Sequence, residues 1–289
     1  MSKEDVLTYY NMNHRILNEE QLMWLSIPDN YQLTDIPIDK LITYDLDFEE
    51  SRLEKYKSVS VEDIQPILLG KEYKSGYQVV DGYCRIAVLL ARQIYTIKAF
   101  VPIFKERTLY HVSPNTNIIE TFYPRVPDSV MLGENGTEDR ICVSDTLDGC
   151  FSSAPWGGNI FEDTMLSVDE NGDYDEEKET GRYFRVYEFS TKGIYTGHIR
   201  FPIELHFFDY VQDAKIKGEY WLTEIQPYVR TYLIYVTDWD EGVEDLISYW
   251  EEKDLNNGIP YEEAWEGRVT TYIDNLKYTV HEDNLIKGF

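Results

Sequence analysis

The sequence predicts a mixed α+β / α/β protein built from two successive modules, and three observations carry this. A β-rich run containing Tyr77, Val79 and Val80 ends at Asp81-Gly82 and passes at once into the apolar helical spacing of Ile86, Leu89 and Leu90. The flanking segments "IQPILLG" and "YTIKAFVPIF" read as strands, which makes residues 34–106 a compact strand–helix–strand unit. After Lys105-Glu106-Arg107 the pattern changes to short alternating strands, "TLYHVSP", "DRICVSDT", "RYFRVYEFS" and "GEYWLTEIQPYVRTYLIYVTD", the signature of a mostly antiparallel module over residues 107–238.

The remaining elements follow in chain order. Residues 1–33 form a helical N-terminal arm from two amphipathic pieces, "EDVLTYYNM" and "NEEQLMWL". "DFEESRLEKYKS" reads as a helix inside the first module. Residues 239–289 read as a helical C-terminal extension, from "DEGVEDLISYWEEKD" and "PYEEAWEGRVTTYIDNL". Between Asp169 and Thr180, "DENGDYDEEKET" is a solvated acidic loop without the ligand order of a calcium-binding EF-hand.

Composition narrows the function classes. Of 289 residues 43% are hydrophobic, enough for a substantial core. The 53 acidic residues against 27 basic ones give a formal charge of −26, which argues against a long nucleic-acid footprint and favours docking on a basic protein surface. The 24 tyrosines favour β-structure with adhesive surfaces. Cys84, Cys142 and Cys150 form no CxxC pair, and the N-terminus carries no apolar targeting segment. A cytoplasmic protein is expected, neither disulfide-stapled nor membrane-bound. No histidine lies at ligand spacing to a cysteine, so no metal site is expected.

Two constellations stand out. At the first, Gly82 permits a tight corner, the following helix exposes unpaired N–H groups, and Arg85 adds a fixed charge in its first turn. Asp81 and Arg85 either hold an anion there or simply pair and cap the helix. The leading strand with Pro66, Ile67 and Leu68, then Asp81, Gly82 and Arg85, then Ile86 and Ala87, resembles the domain shared by ParB-like and sulfiredoxin-like proteins. The resemblance implies a nucleotide phosphate held by Asp81, Gly82 and Arg85. Sulfiredoxins place the reactive cysteine directly after the glycine; here that position is Tyr83, with Cys84 one step late, so reductase chemistry is not implied.

The second constellation is His111 at the end of "TLYH", Ser144 at the end of "RICVS", and Glu219 inside the otherwise apolar "GEYWL". A carboxylate among Tyr220, Trp221 and Leu222 either faces solvent or lines a cleft. In this order the three resemble the split active site of ADP-ribosyltransferases with an H-Y/S-E arrangement. That resemblance implies NAD as cofactor, with His111 at the ribose, Ser144 shaping the nicotinamide pocket, and Glu219 stabilising the positive charge as nicotinamide leaves. Arg125 and Arg140, between the first two motifs, either contact the pyrophosphate or neutralise nearby acids. The competing expectation is non-enzymatic: an acidic, tyrosine-rich protein, such as an inhibitor encoded by a phage or mobile element, occupying a basic site on a host defence or nucleic-acid enzyme.

Overall fold

The computed structural model describes residues 1–13, 15–43, 50–127, 134–154, 182–245 and 269–285. It is a mixed α+β protein with two sheets and few helices, dividing into two compact units: residues 1–105 with 193–198, and residues 106–192 with 199–289. The acidic loop at 169–180 lies outside the described residues.

In the first unit, helices α1 (Lys3–Met12) and α2 (Glu19–Ser26) each begin with a reciprocal capping box, Ser2 with Asp5 and Asn18 with Gln21. Strands β1 (Asn30–Pro37) and β2 (Leu41–Ile42), helix α3 (Glu50–Lys57), strands β3 (Ile67–Tyr73) and β4 (Gly76–Asp81), helix α4 (Tyr83–Ala91) and strand β5 (Thr96–Ile103) complete it. The sheet order is β1-β5-β3-β4-β2, with β3/β5 and β2/β4 parallel and the other pairs antiparallel.

Because side chains alternate along a strand, the run Ile67-Leu68-Leu69 of β3 feeds both faces of this sheet. Ile67 and Leu69 pack with Ile86 and Leu89 of α4; Leu68 packs with Phe100 of β5 and with Val6, Tyr10 and Leu25 of the N-terminal helices. Helices α1 and α2 thus cover one face of the sheet, and the expected helical arm is corrected at residues 30–33, which begin the sheet strand β1.

The second unit contains β6 (Thr108–Ser113), β7 (Ile141–Ser144), α5 (Leu147–Ser153), β8 (Arg182–Ser190), β9 (Ile199–Arg200), α6 (Pro202–Phe207), α7 (Ala214–Lys217), β10 (Glu219–Leu222), β11 (Arg230–Asp245) and β12 (Val269–Leu285). Every adjacent pair in the order β12-β11-β8-β6-β7-β10-β9 is antiparallel. Phe184 and Val186 of β8 and Tyr232, Ile234 and Val236 of β11 alternate onto the face that buries Phe151 of α5.

The expected helical extension is corrected wherever residues 239–289 are described. Residues 239–245 continue β11, and 269–285 form β12, its antiparallel partner. The acidic segment "DEGVED" looks helical in isolation. Here pairing with β12, interrupted by three register shifts, sets its conformation, and Ile273 and Leu276 of β12 reach the core beneath α5. Residues 246–268 lie outside the described set. Among the described residues no helix is long and apolar enough to cross a membrane.

Phe151 is fully buried and meets Phe184 edge-on with ring centroids 4.9 Å apart. Phe151→Ala is expected to cost about 3–5 kcal/mol of stability, measured by urea denaturation; a loss below about 1 kcal/mol would show that α5 is not seated as described.

Candidate active site

The two constellations fall in different units. Asp81, Gly82 and Arg85 belong to the first. Gly82 has φ +127°, and a Cβ there would sit 2.2 Å from Ile67 Cγ2, so only glycine fits this corner. The corner turns Arg85 inward. Its guanidinium is 1% exposed, donates through Nη1 to the carbonyls of Gln65 and Pro66, and pairs through Nη2 with Asp81 at 2.5 Å. Asp81 also pairs with Arg15 at 3.3 Å. Arg85 therefore ties the helix start to the end of the preceding strand segment and offers no open face to a solvent-borne phosphate. Of the two alternatives for Asp81 and Arg85, pairing with each other is what the geometry has. Arg85→Met should cost about 3 kcal/mol in a chemical melt; a variant as stable as the parent would contradict a structural pin.

His111 and Glu219 of the second constellation line a cavity in the second unit. Its volume is about 570 Å³, and its lining includes His111, Arg125, Glu134, Arg140, Cys142, Ser153 and Glu219. Strands β6 and β7 meet at a single pair, Tyr110 with Ser144. His111 lies just beyond it and places Nδ1 2.9 Å from the Cys142 carbonyl oxygen. A carbonyl only accepts, so Nδ1 carries the proton and Nε2 is the acceptor. Burial lowers the His111 pKa, and the positive charge of Arg125 acts in the same direction, which favours the neutral ring. Phe122 braces the ring edge-on at 5.0 Å.

Glu219 opens β10, directly after Gly218 in the left-handed conformation, φ +59°. It is 2% exposed and does not face solvent. Burial pushes its carboxyl up to about 7, with the negative charge of Glu134 adding to the rise. Trp221 Nε1 donates to Glu219 Oε1 at 2.7 Å, which opposes it. Burial and the nearby Glu219 push the Cys142 thiol up to about 12, which favours the protonated thiol at neutral pH.

Ser144 is placed away from the cavity. It is fully buried opposite Glu219 in the β7/β10 register, and its hydroxyl donates to the Lys217 carbonyl at 3.0 Å while accepting from Thr146 N at 3.3 Å. It shapes the site by pinning β7 to the approach of β10; it does not line a pocket wall. Arg125 and Arg140 pair through their backbones, Arg125 N donating to Arg140 O at 3.2 Å and the reverse at 3.0 Å. The Arg140 side chain is committed to protein groups: Nη1 donates to the carbonyls of Asn135 and Glu138, and Nη2 approaches Glu134 at 3.5 Å. Of the two alternatives for Arg140, neutralisation of a nearby acid is what the geometry has.

Sequence reasoning missed Glu134, Ser153 and Trp221. Two-residue alternation puts Trp221 on the same side of β10 as Glu219, a signal present in the sequence. Glu134 and Ser153 have no such signal. The Ser153 hydroxyl is buried without a partner among the described residues, on the wall of the cavity. Among the described residues no group of three His, Cys, Asp or Glu side chains could hold a metal ion. No protein-family model matches the chain, and no curated protein matches it.

The raised Glu219 pKa has a sign that can be tested without any ligand. The folded protein holds a proton that the unfolded chain, with an ordinary value of 4.5, has released. This contribution to stability is fully present below about 4.5 and is lost as pH rises through about 7. Glu219→Gln mimics the protonated form, so its melting temperature should gain on that of the parent between pH 5 and pH 8. Parallel melting profiles across that range would show that Glu219 titrates normally.

Proposed function

We propose that the second unit binds NAD in this cavity and cleaves its nicotinamide–ribose bond, passing ADP-ribose to a macromolecule or to water. The observation that carries this reading is convergence: His111, Arg125 and Glu219 come from separated segments and line one cavity of about 570 Å³, within the usual size of small-molecule sites. The unpartnered hydroxyl of Ser153 fits a ligand that can hydrogen-bond from the cavity.

Each residue has a role that its surroundings support. Neutral His111, with its proton fixed on Nδ1 by the Cys142 carbonyl, leaves Nε2 to accept from a ribose hydroxyl. Arg125 supplies positive charge at the cavity for phosphate oxygens. NAD supplies a cationic nicotinamide leaving group, so positive charge moves onto the ribose as the bond breaks. Glu219, as a buried carboxylate, stabilises that charge more than it would in water. Asp81, Gly82 and Arg85 take no part in this reading.

Nicotinamide release from NAD, followed chromatographically, tests the proposal. Glu219→Gln should lower kcat by about 10²–10³-fold while NAD still raises the melting temperature. In the parent, kcat/KM should rise with pH through about 7 as Glu219 ionises. Absence of any NAD-induced thermal shift in the parent, or equal turnover in the variant, would refute the reading.

A further inference from the structure

Glu219 is held from one side only. Its Oε1 accepts the indole N–H of Trp221, two residues along the same strand; the carboxyl makes no other hydrogen bond among the described residues, and Glu219 lines the cavity. Trp221 is itself fixed. It is fully buried, the Arg140 guanidinium lies 3.9 Å from its ring centroid, and the Tyr210 ring stacks parallel to it at 5.9 Å with 5° between the planes. Arg140 is anchored in turn by the Asn135 and Glu138 carbonyls and by Glu134. A continuous series of contacts therefore runs from the segment at 134–140 through a cation and an indole to one oxygen of the cavity carboxyl.

We infer that Trp221 is a positioning residue for Glu219: its indole anchors Oε1 so that Oε2 alone is presented to the ligand in the cavity. The inference rests on the reading of Glu219 as the group that meets the ribose. Two physical consequences give it content. A carboxyl with one oxygen anchored loses the rotation that would otherwise exchange its two oxygens, so the stabilising charge is directed before substrate arrives. A cation against the face of an indole also polarises the ring and makes its N–H a stronger donor. The N–H stabilises the ionised carboxyl, and since Oε1 is engaged as acceptor, the proton that Glu219 holds near neutrality sits on Oε2. Ionisation thus exposes the negative oxygen where the ligand lies.

Other groups bear on Glu219 as well. Glu134 and Asp213 raise its proton affinity and Lys217 lowers it. Cys142, opposite Trp221 on β7, is held in the thiol form. None of these is altered by changes confined to the indole nitrogen.

The experiment compares the parent with Trp221→Phe and with a protein carrying β-(3-benzothienyl)alanine at position 221, which keeps the bicyclic ring and lacks the N–H. Two readouts are taken: the titration of the Glu219 carboxyl carbon by NMR, assigned with Glu219→Gln, and the pH profile of NAD turnover. Both replacements should move the carboxyl midpoint upward by about one unit. They should also lower kcat by about tenfold or more with little change in KM, and shift the kcat/KM midpoint by the same amount as the carboxyl. If Trp221→Phe does not fold, the benzothienyl protein alone decides, because its ring fills the same volume. An unmoved carboxyl midpoint in a folded replacement overturns the positioning role. So does a moved midpoint with unchanged kcat. If the parent does not turn NAD over, the ligand reading fails by itself, and the carboxyl titration still decides whether Trp221 anchors Glu219.

Discussion

The second unit depends on one close approach. A Cβ on Gly149 would sit 2.1 Å from the Lys217 carbonyl oxygen and 2.2 Å from Ser144 Oγ, so α5, β7 and the end of α7 meet at a point that admits no side chain. Thr146 caps the helix at that point by accepting from Gly149 N at 3.0 Å, and Ser144 ties its hydroxyl to the same Lys217 carbonyl. Gly218 then makes the left-handed turn into β10, where a Cβ would lie 2.4 Å from Asp145 Oδ1. Two glycines and one serine bring the first residue of β10 under the helix. The depth of Glu219, and with it the upward shift of its carboxyl, follows from this junction.

Local pattern made some of this legible. The strand, glycine corner and apolar helix from Tyr77 to Ala91 follow from alternation, a required positive φ and a 3.6-residue apolar spacing, all contained in neighbouring residues. His111, Arg125, Arg140 and Glu219 stand out as chemically unusual for apolar strands or their flanks, and they do line one cavity. Direction was not legible. Whether Arg85 turns outward to an anion or inward to Asp81 depends on where the Pro66 carbonyl lies, a neighbour that the arginine's own segment does not reveal. Ser144 is a hydrogen-bonding tie because of a glycine five residues on and a carbonyl 73 residues away. The end of β11 is strand for a non-local reason too, since its acidic residues have no strand-forming pattern of their own.

A buried carboxyl in a chain of net charge −26 meets opposing demands. Burial strengthens any interaction it makes with positive charge, yet disfavours the ionised form that would make it. The surroundings of Glu219 hold the balance close to neutrality: burial and Glu134 push one way, the indole N–H and Lys217 the other. Arg140 lies against both sets, approaching Glu134 at one end of its guanidinium and covering Trp221 with its face.

The cavity wall is also tied to a distant part of the chain. Helix α5, which contributes Cys150 and Ser153 to the lining, accepts through Ser152 Oγ from Ile273 N at 2.8 Å and through Asp148 Oδ1 from Leu276 N at 3.3 Å. Those donors belong to β12, more than a hundred residues later. During synthesis on the ribosome, strands β6, β7 and β10 are available to pair well before α5 has its β12 partner. The last two ties on the wall that α5 provides therefore form only after residue 276 has cleared the exit tunnel, and a chain stalled earlier would hold that helix by its junction with β7 and α7 and its packing on β8 and β11 alone.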